Sequence, residues 1–129
     1  VHQFLTGVQE RKMAELYREA DIFISSSLEG EGFGLPAIEA LASGVPSILT
    51  DISTYGNFHE NKDFAYFVPT HSPEKIALGI ETFMSDAGFR NECIDRGLYV
   101  ASGFSLERTK KDLIQFIKNL HRGEITGLP

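Results

Sequence analysis

Residues 21–39 read DIFISSSLEGEGFGLPAIE, and this stretch decides the fold. Ile22, Phe23 and Ile24 form a short apolar run suited to a buried parallel strand. Residues 25–34 are rich in Ser and Gly and read as a loop. Pro36 then restarts the chain as a helix, because its missing N–H costs nothing at a first helical position. Gly32 and Gly34 let a ligand approach their backbone closely. The helix start aims free N–H groups at that loop, an arrangement that attracts anions. The helix dipole alone contributes roughly 0.3–1 kcal/mol at an exposed site, too little to hold a pyrophosphate without cations. Glu31 precedes the glycines and Glu39 is read in the first helical turn. Carboxylates repel phosphate, but they accept short hydrogen bonds from neutral hydroxyls. A ligand with phosphates in its middle and sugars at its ends, a nucleotide-sugar, satisfies both demands. The plainer reading is that the glycines only turn the chain and Glu39 only favours the helix dipole; a lone G-x-G does not choose between them.

Outward from this stretch, strand and helix alternate. Residues 3–5 are a short apolar segment closed by Gly7. Over 9–19, Met13, Leu16, Tyr17 and Ala20 recur at the spacing of one helix face. The helix over 36–42 stops at Gly44, and 45–50 (VPSILT) is the next strand, with Pro46 near its start. Residues 51–63 are polar and irregular; 64–68 (FAYFV) is a further strand ended by Pro69. Ser72-Pro73-Glu74 opens a helix whose apolar face is Ile76, Ala77, Ile80, Phe83 and Met84. A weaker helical segment covers 89–99. Ser105 caps a last helix with Leu113, Phe116, Ile117 and Leu120 on one face, and residues 123–129 form a loose tail. Such alternation implies an α/β fold, a parallel sheet with helices on both faces. Ligands of such sheets bind at the carboxyl ends of the strands.

Composition sets the outer limits. The 129 residues suffice for one domain with a core, and an apolar fraction of 42% is ordinary for a globular protein. No apolar run approaches the roughly 18 residues of a membrane span, and residues 1–6 lack the length and basic charge of a signal peptide. The single cysteine, Cys93, fits a reducing compartment and reads as a core residue. A net charge of -6 argues against a nucleic-acid partner and a general electrostatic membrane anchor. Arg108, Lys110, Lys111, Lys118 and Arg122 make a local basic patch, whose plain reading is a solvated helix face. The histidines show no metal-ligand spacing, no D-x-D is present, and Ser25 to Ser27 lack a nucleophile elbow.

Glu31-Gly32-Phe33-Gly34-Leu35-Pro36-Ala37-Ile38-Glu39 resembles, without mismatch, the E-x7-E signature of family-4 retaining glycosyltransferases. Leu5-Thr6-Gly7, Glu15-Leu16-Tyr17 and Ala20-Asp21-Ile22-Phe23-Ile24 resemble its upstream stretch. Ala40-Leu41-Ala42-Ser43-Gly44-Val45-Pro46 resembles its continuation, and Phe104-Ser105 the step before the last helix, with Leu106 in place of Trp. The resemblance implies a Rossmann-like domain over 1–122, the C-terminal half of a GT-B glycosyltransferase. It implies transfer from a nucleotide diphospho-sugar to a sugar, lipid or protein acceptor, with retention and without metal or cofactor. Glu31 would contact donor-sugar hydroxyls as the catalytic candidate. The backbone of Gly32, Phe33, Gly34 and Leu35 would face sugar and phosphates, with Phe33 alternatively a packing residue. Glu39 would hold the ribose, residues 25–30 would line the rim, and Gly7 would lie near the base. The parent enzyme is expected in the cytoplasm or peripheral to a membrane, with an N-terminal GT-B domain as partner.

Departures from the pattern matter. The family's phosphate-binding Arg and Lys have no match, and neither do the first strand and helix of the nucleotide-binding fold. The chain therefore reads as a fragment that binds donor weakly and transfers nothing alone. Glu29-Gly30 resembles a small insertion, with Glu29 at the surface. Residues 52–62 (ISTYGNFHENK) do not align, though Tyr55, Asn57, His59 and Glu60 lie within possible reach of the donor. Rival readings are a GT-B-shaped epimerase or phosphorylase, and a non-catalytic scaffold subunit; the intact Glu31 and Glu39 argue against the scaffold.

Overall fold

A computed structural model describes residues 3–122. In chain order the elements are α1 (Glu10–Glu19), β1 (Phe23–Ser25), α2 (Leu35–Ala42), β2 (Ser47–Thr50), α3 (Ser53–Gly56), β3 (Tyr66–Val68), α4 (Pro73–Ser85), α5 (Ala87–Ser102) and α6 (Leu106–His121). The strands form a parallel sheet in the order β1-β2-β3, with Ile24 beside Ile48 and Leu49 beside Phe67. Parallel pairing follows from the crossover helix between β1 and β2.

The central strand β2 is buried along its whole length, and its side chains alternate between two cores. Leu49 joins Ala37, Ile38 and Leu41 of α2, together with Tyr55, Phe58 and Phe64. Ile48 faces the other way, onto Val68, Phe83 of α4 and Cys93 of α5. Helices therefore cover both faces, as the alternation implied. Burying one such Leu or Ile side chain is worth about 1.5–3 kcal/mol. Helix α5 lies tightly on α2 because Gly97 has no side chain: a Cβ there would stand 2.8 Å from Leu41 Cδ2.

Several boundaries differ from the sequence reading, each for a local reason. Residues 51–63 are not wholly irregular, since α3 forms within them. Strand β1 runs Phe23–Ser25 rather than 22–24, and β2 and β3 are shorter than the apolar runs that contain them. Ser72 does not cap α4: its hydroxyl donates back to Thr70 O at 3.3 Å. The inward face of α4 is Ile76, Gly79, Ile80 and Phe83, whereas Ala77 and Met84 point to solvent. Helix α5 is longer than the weak segment over 89–99, because Asp86 accepts from Phe89 N–H at 2.9 Å and starts it earlier. Ser105 does cap α6, accepting from Arg108 N–H. Leu113, Phe116 and Ile117 of α6 are exposed among the described residues. Residues 3–5 are exposed and carry no regular structure, and the tail 123–129 lies outside the described residues.

Candidate functional site

The loop between β1 and α2 sits at the carboxyl end of the sheet. It reaches α2 through Gly34, whose φ of 78° is left-handed. That conformation costs an L-residue roughly 1–2 kcal/mol. Space also forbids a side chain there, since a Cβ on Gly34 would meet the Tyr55 ring at 2.7 Å and the Phe58 ring at 3.1 Å. Gly34 is thus a requirement of the fold, not only a point of ligand access. Gly32 is different: it is exposed, has no positive φ, and a Cβ there would meet nothing within 4 Å.

The helix end offers fewer amides than its sequence promised. Helix α2 begins at Leu35, Pro36 at its second position has no N–H, and the Ala37 and Ile38 amides both return to Gly34 O. The amides of Gly32, Phe33, Gly34 and Leu35 have no protein acceptor among the described residues. The donors available to an anion are therefore mostly those of the loop. Phe33 is half-exposed, with its ring edge-on to Phe104 at 5.7 Å and tilted against Phe58 at 6.4 Å. Its side chain packs, and this anchors the glycine turn.

Glu31 is partly buried, and its Oε2 accepts from the Ser27 hydroxyl at 3.0 Å. Ser27 Oγ lies 3.1 Å from Ser25 Oγ, which lies 2.7 Å from the hydroxyl of buried Tyr55. The Thr54 hydroxyl donates to Glu31 O at 2.8 Å, and the Thr50 hydroxyl to Ser27 O at 2.6 Å. Glu29 is exposed, as the sequence suggested, and it caps α3 from a distance, because Ile52 at the N-cap position has no side-chain hydrogen bond to offer. The Glu29 carboxylate accepts from Ser53 N–H at 3.0 Å and from the Ser53 hydroxyl at 2.8 Å. Glu29 thus ties the loop to α3, the element that brings Tyr55 under it.

Glu39 is the fifth residue of α2, so it lies one turn beyond the first turn in which the sequence placed it. Its Oε2 accepts from the Tyr17 hydroxyl at 3.1 Å. Burial, then the Glu39 charge and this hydrogen bond, push the Tyr17 hydroxyl up to about 12. Glu39 lines a cavity of about 460 Å³ between α1 and α2, with Val8, Met13, Ala14, Tyr17 and Ser43 among its walls. Glu31 is not part of that lining, so the two acids stand in different surroundings. A second hollow, of about 400 Å³, opens at the strand ends between Ser26, Leu28, Pro69 and His71.

Of the four candidates Tyr55, Asn57, His59 and Glu60, Tyr55 alone bonds to the loop among the described residues, from beneath, beside its neighbours Ser53 and Thr54. Asn57 ends α3; His59 Nδ1 accepts from Asn61 N–H and its ring stands edge-on to Tyr99 at 5.8 Å. Lys62 pairs with Asp51 and lies over the Phe67 ring at 5.6 Å. Among the described residues no group of three His, Cys, Asp or Glu side chains could hold a metal ion. Cys93 is buried, and burial, followed by the charges of Glu92 and Asp63, pushes its thiol up to about 11. It stays protonated at neutral pH and is no nucleophile.

A parallel sheet covered on both faces, with a glycine turn and a helix at its carboxyl edge, defines a Rossmann-like α/β domain. The family described as Glycosyl transferases group 1 matches residues 1–98, and the chain belongs to it. The fold is accordingly that of the C-terminal half of a GT-B glycosyltransferase. The chain is 27% identical over 116 residues to an uncharacterized glycosyltransferase of Methanocaldococcus jannaschii, covering 89% of this chain and 30% of that protein. It is 27% identical over 101 residues to a phosphatidyl-myo-inositol mannosyltransferase of Mycobacterium leprae, covering 78% and 25%. It is 30% identical over 112 residues to a D-inositol 3-phosphate glycosyltransferase of Rhodococcus erythropolis, covering 87% and 25%. The chain therefore spans less than a third of the length of these relatives.

Proposed function

We propose that this chain is the donor-binding part of a retaining glycosyltransferase of the family-4 type, taking a sugar from a nucleotide diphospho-sugar. One observation supports this most directly. Glu31 and Glu39 each accept an O–H hydrogen bond at Oε2, while Oε1 of each has no partner among the described residues. An acid held by one hydroxyl is oriented to accept from another, and sugars present hydroxyls. In this reading Glu31 takes the donor sugar and Glu39 the ribose, with the nucleoside against Val8, Met13 and Ala14. The free amides of Gly32, Phe33, Gly34 and Leu35 take the phosphates.

In the reaction, the bond from the anomeric carbon to the diphosphate oxygen breaks and its electron pair leaves with the diphosphate, while the acceptor hydroxyl oxygen bonds to the anomeric carbon and its proton passes to the departing diphosphate. The loop amides stabilise that growing negative charge, and they need not reorient to do so. Glu31 holds the sugar as positive charge develops on the ring. No residue of this chain is assigned as a base, and neither metal nor cofactor enters the scheme. The acceptor, a sugar, lipid or protein, is assigned to the remainder of the enzyme, as are the cations that the diphosphate needs. A cytoplasmic or membrane-peripheral location belongs to the same reading. Among the described residues no helix is long and apolar enough to cross a membrane.

Calorimetric titration of the full-length parent enzyme with UDP, GDP, ADP and their glucose or mannose conjugates tests the proposal. It expects one base to bind and the sugar conjugate to bind more tightly than the free diphosphate. Absence of binding across the panel refutes it and favours the scaffold reading. Product analysis separates transfer from epimerisation and phosphorolysis.

A further inference from the structure

We propose that Tyr55 is a positioning residue for Glu31, acting through a one-way chain of hydroxyls, Tyr55 to Ser25 to Ser27 to Glu31. The inference rests on the reading of Glu31 as the acid that meets the donor sugar.

The direction of the chain is fixed by its end. An ionised carboxylate only accepts, so the Ser27 hydroxyl must spend its single proton on Glu31 Oε2. Ser27 Oγ can then only accept from Ser25, and Ser25 Oγ can only accept from Tyr55. All the protons point toward Glu31, and each bond polarises the next in the same sense. The chain begins at a phenol that is 2% exposed, so its first member does not exchange partners with solvent. Its length to the acid is three hydrogen bonds, of 2.7, 3.1 and 3.0 Å.

The element that carries Tyr55 is itself clamped to the same loop. Glu29 caps α3 through Ser53, and Thr54 of α3 donates to Glu31 O. Side chain and backbone of Glu31 are therefore both set from α3. The geometry leaves Glu31 Oε1 for the ligand and commits Oε2 to the protein. A carboxylate held in this way meets a sugar hydroxyl without first losing rotamer freedom. The competing explanation is that Tyr55 matters only as a ring under Gly34 and beside Phe58. Tyr55→Phe separates the two, since it keeps the ring and deletes the first donor.

The chain is read first without ligand. In protein labelled with ¹³C at glutamate Cδ, Tyr55→Phe and Ser25→Ala each shift the Glu31 resonance and leave that of Glu39 in place. A Glu31 resonance that does not move overturns the inference, whatever the protein binds. Binding gives the second test. Tyr55→Phe lowers affinity for the sugar conjugate roughly three- to tenfold, the effect of one net hydrogen bond, while affinity for the free diphosphate holds. Adding Ser25→Ala to Tyr55→Phe costs little more, because the chain is already broken. Additive losses, or equal losses for conjugate and diphosphate, overturn it. If no nucleotide binds the unaltered protein, the proposed function fails, and the resonance test alone decides the hydroxyl chain.

Discussion

Replacing Gly34 by Ala should damage the fold, and the same change at Gly32 should not. At Gly34 the added methyl must hold a φ of 78°, at a cost of roughly 1–2 kcal/mol. It must also displace the Tyr55 and Phe58 rings, which stand 2.7 and 3.1 Å from the new carbon. Overpacking of that kind adds about 1–3 kcal/mol. Gly34→Ala should therefore lose about 2–5 kcal/mol, a large part of a small domain's ordinary 5–15 kcal/mol. In urea unfolding followed by circular dichroism, the midpoint should fall by about 1–2 M at an unchanged slope. Gly32→Ala meets open space and should stay within about 0.5 kcal/mol of the parent. If it weakens nucleotide-sugar binding all the same, the bare backbone at Gly32 serves the ligand. A Gly34→Ala midpoint matching the parent, or a Gly32→Ala loss as large as that of Gly34→Ala, refutes the assignment of fold to one glycine and ligand to the other.

Glu29→Ala removes the cap of α3 and should lower stability by about 0.5–2 kcal/mol in the same assay, while Glu29→Gln, which keeps an acceptor, should lose less. Tyr17 titrates near 12 in the folded chain and near 10 when unfolded, so the native state keeps its proton longer. Its contribution is complete below pH 10 and is lost as the pH rises toward 12. Urea midpoints above pH 10 should therefore fall less steeply in Tyr17→Phe than in the parent. Cys93 should react slowly with a disulfide reagent at pH 8 in the native state and at once in urea, since its thiol is buried and titrates near 11.

The sheet was legible because its strands are apolar runs bracketed by Gly and Pro, and α1 because Met13, Leu16 and Tyr17 share a helical spacing. What escaped was set by contacts distant in sequence. Helix α3 is capped by Glu29, 24 residues earlier, and no local pattern announces that. Tyr55 looked like a residue of a polar loop, yet it is buried because Gly34 leaves room for its ring. The Ser-Pro-Glu start of α4 suggested a cap, but Ser72 turned to a nearer carbonyl. Met84 and Ala77 were placed inward on hydrophobicity, while Gly79 holds the inward position where α4 meets the sheet. Glu31 and Glu39 are singled out by their resemblance to a family signature. Their hydroxyl partners, Ser27 and Tyr17, required coordinates.

Titration of Glu39→Ala, made in the full-length parent enzyme, with the nucleoside diphosphate that the unaltered enzyme prefers bears hardest on the central claim. Loss of a charge-assisted hydrogen bond to ribose, worth roughly 1.5–3 kcal/mol, predicts a dissociation constant about ten- to a hundredfold higher, with circular dichroism and the urea midpoint preserved. An unchanged constant in a normally folded Glu39→Ala variant contradicts it.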